Sequence, residues 1–114
     1  NSNGKKCFVE VKSVTMKREM GTVNPAEFPD SVTSRGLKHL NELSSMVANG
    51  HRAVMLYIVQ RNDSDTFTLA RDIDPEYGKA YDRAMSAGVE VLAYACQMSS
   101  SKINVKRQIT VLNN

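Results

Sequence analysis

The sequence predicts an α/β domain built on a mixed, mostly parallel sheet with helices packed on it. Three observations carry that prediction. Runs of strand length, rich in apolar and β-branched residues, occur at 7–14, 52–60, 89–97 and 103–112. Two stretches between them repeat apolar residues at helical spacing. The resulting order is strand, helix, strand, helix, strand, strand, and helical crossovers join strands that run parallel. The 114 residues suffice for one domain with a modest core, and no internal repeat, linker or low-complexity segment divides them.

Residues 7–14 (CFVEVKSV) alternate and read as a strand, with Cys7, Val9 and Val11 on one face and Glu10 and Lys12 on the other. Residues 16–30 are expected to be irregular, because Gly21, Pro25 and Pro29 interrupt any regular element. Over 31–49, Leu37, Leu40, Leu43 and Val47 mark a helix face, with Met46 beside them. Asp30, Ser31 or Thr33 can cap its start, and Asn49-Gly50 supplies its stop. Residues 52–60 are continuously apolar, as in a strand covered on both faces, and 61–65 form a polar loop. Asp74-Pro75 opens the second helix, which runs to Ala87-Gly88. Strand 89–97 follows, then a turn at Ser99-Ser100-Ser101 and a final strand, expected to be antiparallel.

Hydrophobic content of 41% and charged content of 24% describe a globular chain, and the net charge of +3 permits nucleic-acid binding without requiring it. The charge is uneven. Lys5, Lys6, Lys12, Lys17 and Arg18 make the start basic, as do Lys102, Lys106 and Arg107 near the end, whereas Asp63, Asp65, Asp72, Asp74, Glu76 and Asp82 make an acidic waist. If the ends meet in space they form one basic surface. Cys7 and Cys96 match no metal or redox spacing and read as buried thiols in a reducing compartment; a disulfide between them requires neighbouring strands. No apolar run approaches the ~20 residues that span a bilayer, and the polar start is no signal peptide. The expected setting is therefore cytoplasmic, without a membrane partner. The opening Asn1-Ser2-Asn3-Gly4, with no Met, reads as a cut through a hairpin tip, so a piece of a longer protein is expected.

The chemistry concentrates at Glu10 and Lys12. A carboxylate and an amine side by side on a strand end suit a metal-dependent nuclease: the carboxylate holds Mg²⁺, and the lysine orients or activates water beside a phosphate. On the tripeptide alone, a solvated ion pair is the commoner explanation. Asp30 reads first as a helix cap and second as a metal carboxylate near Glu10. Arg35, Lys38, His39 and Glu42 lie opposite the leucine face, a solvated surface by default and a candidate contact for a nucleic-acid backbone. His51 reads as exposed loop. Tyr57, Tyr77, Tyr81 and Tyr94 read as core packing, and the methionines as gap fillers. There is no glycine-rich phosphate loop, zinc spacing or recognisable Ser/His/Asp set.

The succession FVEVKSVT, FPDSVTSRGLKHLNEL, GHRAVMLYIVQR, IDPEYGKA and AGVEVLAYAC resembles the bacterial sugar fermentation stimulation protein A family over roughly residues 7–98. The resemblance implies the C-terminal part of a two-domain protein, with an OB-type barrel before it. It also implies a three-layer restriction-endonuclease-like fold related to the PD-(D/E)XK nucleases, here truncated at its N-terminal edge. The family's Glu-Val-Lys falls on Glu10-Val11-Lys12, its Phe-Pro-Asp on Phe28-Pro29-Asp30, and its Arg-Gly-x-Lys-His-Leu on Arg35, Gly36, Lys38, His39 and Leu40. A further Asp, on an Arg-Ile-Asp-Phe strand preceding Glu-Val-Lys, is not in this chain, which alone is then expected to be inactive. The implied function is DNA binding with Mg²⁺-dependent (or Mn²⁺-dependent) phosphodiester hydrolysis in the full-length protein. In it Glu10 and Lys12 are catalytic, Glu10 and Asp30 bind metal, and Arg35, Lys38 and His39 touch the nucleic acid. The alternatives are a non-catalytic DNA-binding regulator of sugar (maltose) metabolism and a plain interaction domain. Loss of a neighbouring strand would leave the Glu-Val-Lys strand with an open edge, so homodimerisation or aggregation is expected.

Overall fold

A computed structural model describes residues 4–18, 25–61, 63–98 and 103–112. The elements are β1 (Cys7–Val14), β2 (Met16–Lys17), β3 (Ala26–Phe28), α1 (Ser34–Ala48), β4 (Arg52–Val59), β5 (Thr66–Leu69), α2 (Pro75–Ala87), β6 (Glu90–Met98) and β7 (Ile103–Val111). The expected hairpin tip at residues 1–3 and the turn at 99–101 lie outside the described residues. Both predicted helices and the four long strands form within a few residues of their expected bounds. Three short strands were not expected. β2 and β3 lie in the stretch read as irregular, and β5 follows the polar loop. Two to four residues are too few to show a period, so these strands owe their form to pairing with neighbours.

The described strands form one seven-stranded sheet in the order β1-β4-β6-β7-β5-β3-β2. β1, β4 and β6 run parallel, β7 returns antiparallel to β6 as expected, and β5 and β3 run parallel beside β7. The first and last strands of that order are joined in the chain by the single residue Thr15. The sheet therefore curls enough to bring the last residue of β1 next to the first of β2, with no strand pairing between the two among the described residues.

Both helices contribute to a single core on one face of this sheet: Leu40 and Leu43 from α1, and Tyr77, Ala80, Tyr81 and Ala84 from α2, meet Met55, Tyr57, Val59 and Phe67. Crossovers of one hand, stepping in one direction from β1 to β4 to β6, lay successive helices on the same side. The described residues thus form two layers, and the third layer of the expected architecture is not among them. The caps follow local chemistry. The Thr33 side chain accepts from Gly36 N–H to start α1, and Asp74 accepts from Tyr77 N–H to start α2. Gly88, with φ of 110°, ends α2 in the left-handed conformation. No helix among the described residues is long and apolar enough to cross a membrane.

Among the described residues the acidic waist reaches the basic ends: Lys17 pairs with Asp63, Arg18 with Asp72, and Arg107 with Asp65. One burial expectation is corrected. Cys7 is exposed rather than buried, Cys96 is buried, and both are free. β4 lies between their strands, which leaves the thiols no shared edge.

Candidate functional site

The site begins with an inversion of the usual strand pattern. On β1, Val9 and Val11 are 52% and 53% exposed, and the face carrying Glu10 and Lys12 turns inward toward α1. Phe8 and Val14 bracket the charged pair on that same face. Val14 is fully buried, and the Phe8 ring meets the His51 ring edge-on. These apolar anchors decide the orientation of a strand that has hydrophobic residues on both sides. Beside it on β4, Met55 stands opposite Glu10 and Tyr57 opposite Lys12, both fully buried. Glu10 and Lys12 therefore lie where the core meets its open rim.

His39 of α1 completes the group. Its Nδ1 is 2.7 Å from Lys12 Nζ and 3.1 Å from Glu10 Oε1, and Lys12 Nζ is 3.9 Å from that same oxygen. Side-chain exposure is 14% for Lys12, 17% for His39 and 33% for Glu10, so the amine is sheltered and the carboxylate is the open member. Burial pulls the Lys12 amine below its ordinary pKa. The nearby Arg35 charge adds to that pull, and Glu10 opposes it. A lysine so placed gives up its proton more readily than a solvated one. The expected solvated face for His39 is thus corrected: it points into the site. Nothing in the sequence signals this, since Lys12 and His39 are 27 residues apart and meet only through the β1–α1 contact.

The remaining candidates separate. Arg35 is exposed yet close enough for its charge to act on Lys12. Lys38 is exposed and lines a shallow groove along the outside of α1 with Leu37, Asn41 and Glu42. Asp30 is exposed in the bend before α1 and does not cap it, because Thr33 does. Among the described residues, no three His, Cys, Asp or Glu side chains gather closely enough to hold a metal ion. His51 is half-buried rather than loose, accepting from Lys6 N–H at 3.1 Å.

A second layer beneath the site was not visible in sequence. The hydroxyls of Tyr57 and Tyr77 meet at 2.5 Å in the core, Phe28 packs on both rings, and Phe67 stacks on Tyr57. Asp74 uses one carboxylate oxygen to cap α2 and the other to accept from Thr33 N–H, which ties the two helix starts together.

With that geometry described, the similarities to known proteins are these. Residues 1–102 match the family described as "SfsA: Sugar fermentation stimulation protein RE domain". A sugar fermentation stimulation protein homolog of Ruegeria pomeroyi is 55% identical over 98 residues, covering 86% of this chain and 41% of that protein. A homolog of Bartonella henselae is 47% identical over 107 residues, covering 94% of this chain and 44% of that protein. The chain thus spans less than half the length of these curated relatives. A solved structure described as Pyrococcus furiosus SfsA in complex with Ca²⁺ superposes with a TM-score of 0.82 at 29% identity, covering 94% of this chain and 45% of that one.

Proposed function

We propose a function from one premise: the chain belongs to the sugar fermentation stimulation protein family, as its RE domain. It is the part of a bacterial, cytoplasmic DNA-binding protein that carries a nuclease-like Glu-x-Lys site on a restriction-endonuclease-like scaffold. The observation that carries this reading is the inward-facing Glu10–Lys12 pair, with the carboxylate open and the amine sheltered.

Glu10 offers hard oxygens at an accessible rim and fits a divalent cation as one ligand. Asp30 and a carboxylate from elsewhere in the longer relatives are the proposed further ligands. The Ca²⁺ named for the Pyrococcus furiosus protein supports a divalent cation, with Mg²⁺ or Mn²⁺ the proposed catalytic ions. Such a cation, when bound, supplies Lewis-acid polarisation of a phosphoryl oxygen. Lys12 positions water by hydrogen bonding and stabilises negative charge developing on the phosphate. Its lowered pKa suits it to proton exchange with that water. Arg35 and Lys38 contribute sequence-independent attraction to the nucleic-acid backbone. His39 belongs with them on the family pattern.

The test is DNA cleavage with Mg²⁺ or Mn²⁺ by the full-length protein, beside Glu10→Ala and Lys12→Ala. The reading expects cleavage to fall at least ~100-fold in each. DNA binding without cleavage, steeply weakened by salt and indifferent to Glu10→Ala, identifies a non-catalytic DNA-binding regulator of sugar metabolism instead.

A further inference from the structure

We infer that a basic pocket at the starting ends of β1 and β4 seats a phosphodiester of the nucleic-acid backbone, a few nucleotides from the one that reaches Glu10 and Lys12. The inference deepens the reading above and rests on it for the ligand being nucleic acid.

The pocket, of about 500 Å³, is lined by Lys5, Lys6, Cys7, His51, Arg52 and Gly88. Among these residues Lys5, Lys6 and Arg52 are cations at neutral pH, and none is a carboxylate. Arg52 is fixed in place, because its Nη2 donates to the Glu90 carboxylate of β6 at 2.8 Å. Lys5 and Lys6, both exposed, add two positive charges to that balanced pair. The backbone that carries them is anchored. Lys6 N–H donates to His51 Nδ1 at 3.1 Å, and the Lys6 carbonyl accepts from Arg52 N–H at 2.9 Å. The chain is thus paired to β4 one residue before β1 begins, and the His51 ring meets Phe8 in turn. The carbonyls closing the two nearby helices are satisfied by their own caps rather than by a lysine: Met46 accepts from His51 N–H, and Ala84 from Val89 N–H.

Position identifies the anion. Alternate residues of an extended strand share a face, so Lys6 falls on the side of Glu10 and Lys12. At ~3.3 Å per residue it stands ~13 Å before Glu10. A nucleic-acid strand carries a phosphate every ~3.4 Å along its axis. One strand following β1 therefore brings another of its phosphates to the pocket while it reaches Glu10. A lone anion gains nothing from that alignment.

The test has two arms. In this chain, amide NMR is followed during titration with a thymidine dinucleotide, which carries a single phosphodiester, and separately with inorganic phosphate. The backbone signals of Lys6, Cys7, His51 and Gly88 are expected to shift saturably with the dinucleotide. The uncharged methylphosphonate-linked analogue should leave them unmoved, and Lys5→Gln with Lys6→Gln should abolish the shift. Both side chains are exposed and the Lys6 backbone bonds remain, so the double variant keeps its fold. A dinucleotide that leaves these signals still, or inorganic phosphate that moves them where the dinucleotide does not, overturns the inference. In the full-length protein, the same double variant is expected to weaken DNA binding and to flatten the slope of log affinity against log salt by ~0.9, the loss of one phosphate contact. Lys79→Gln removes an exposed charge ~13 Å along α2 from Gly88 and should leave that slope unchanged. A slope untouched by the double variant, or lowered as much by Lys79→Gln, overturns the pocket and leaves DNA binding intact. A dinucleotide that seats here, beside a full-length protein that binds no DNA, retires the nucleic-acid reading above and leaves the phosphodiester pocket standing.

Discussion

The hydroxyls of Tyr57 and Tyr77 illustrate what a residue can and cannot reveal alone. Aromatic residues within an apolar run and on a helix face read as core, and both are fully buried. Their partnership across 20 residues was not legible, because periodicity gives a face and not the group opposite it. Burial raises both phenol pKa values well above the ordinary ~10. The sign follows. The folded state favours the neutral phenols, so their contribution to stability is complete below pH ~10 and is lost as pH climbs toward the raised values. In an alkaline titration, Tyr57 and Tyr77 should stay protonated until the chain unfolds. Tyr77→Phe leaves the Tyr57 hydroxyl buried without its partner and should cost about 1–3 kcal/mol in urea unfolding. The double Tyr57→Phe/Tyr77→Phe variant should cost less than twice that, since it strands nothing.

At the scale of the element, the helices were legible because their end signals are local. Asp74-Pro75 and Gly88 bound α2 with cap chemistry that acts within one turn. Thr33 was one of three candidate caps for α1, and it is selected by what lies across from it: its N–H donates to Asp74 at 2.9 Å, and its hydroxyl accepts from Gly36 N–H. Gly36 itself is a test of propensity against packing. An alanine there would gain ~1 kcal/mol of helix propensity. Its Cβ, however, would stand 2.9 Å from Thr33 Cγ2 and 3.0 Å from Tyr77 Cε1. Thr33 is held by the cap and Tyr77 by the core, so neither yields cheaply. Gly36→Ala is therefore expected to lower the urea midpoint, and a raised midpoint would show that the α1–α2 junction is softer than this geometry. Thr33→Ala should cost ~1 kcal/mol by the same measurement.

The whole molecule adds an exposed surface that no element announces. β1 ends the strand order with β4 as its only sheet partner among the described residues, and its outer face carries Val9 and Val11 more than half exposed. An open edge with apolar side chains favours pairing with another chain. We expect this chain to self-associate, with sedimentation coefficients that rise with concentration. Val9→Lys with Val11→Lys should return it toward a monomer without disturbing the inward face. A monodisperse monomer of the unaltered chain at high concentration would remove this expectation.

By itself the sequence determined the two helices, the four long strands, the antiparallel return of the last and the adjacency of Glu10 and Lys12, because each depends on period or on signals a few residues apart. Only the tertiary structure decided which side of β1 faces the core. Hydrophobic residues occur on both sides, and contacts from Phe8, Val14 and α1 break the tie. It likewise decided the short strands, too brief to show a period, and the pairing of the basic ends with the acidic waist. The meeting of His39 with Lys12 and Glu10 belongs to the same class: each depends on groups far apart in the chain, which the curl of the sheet and the seating of α1 bring within bonding distance.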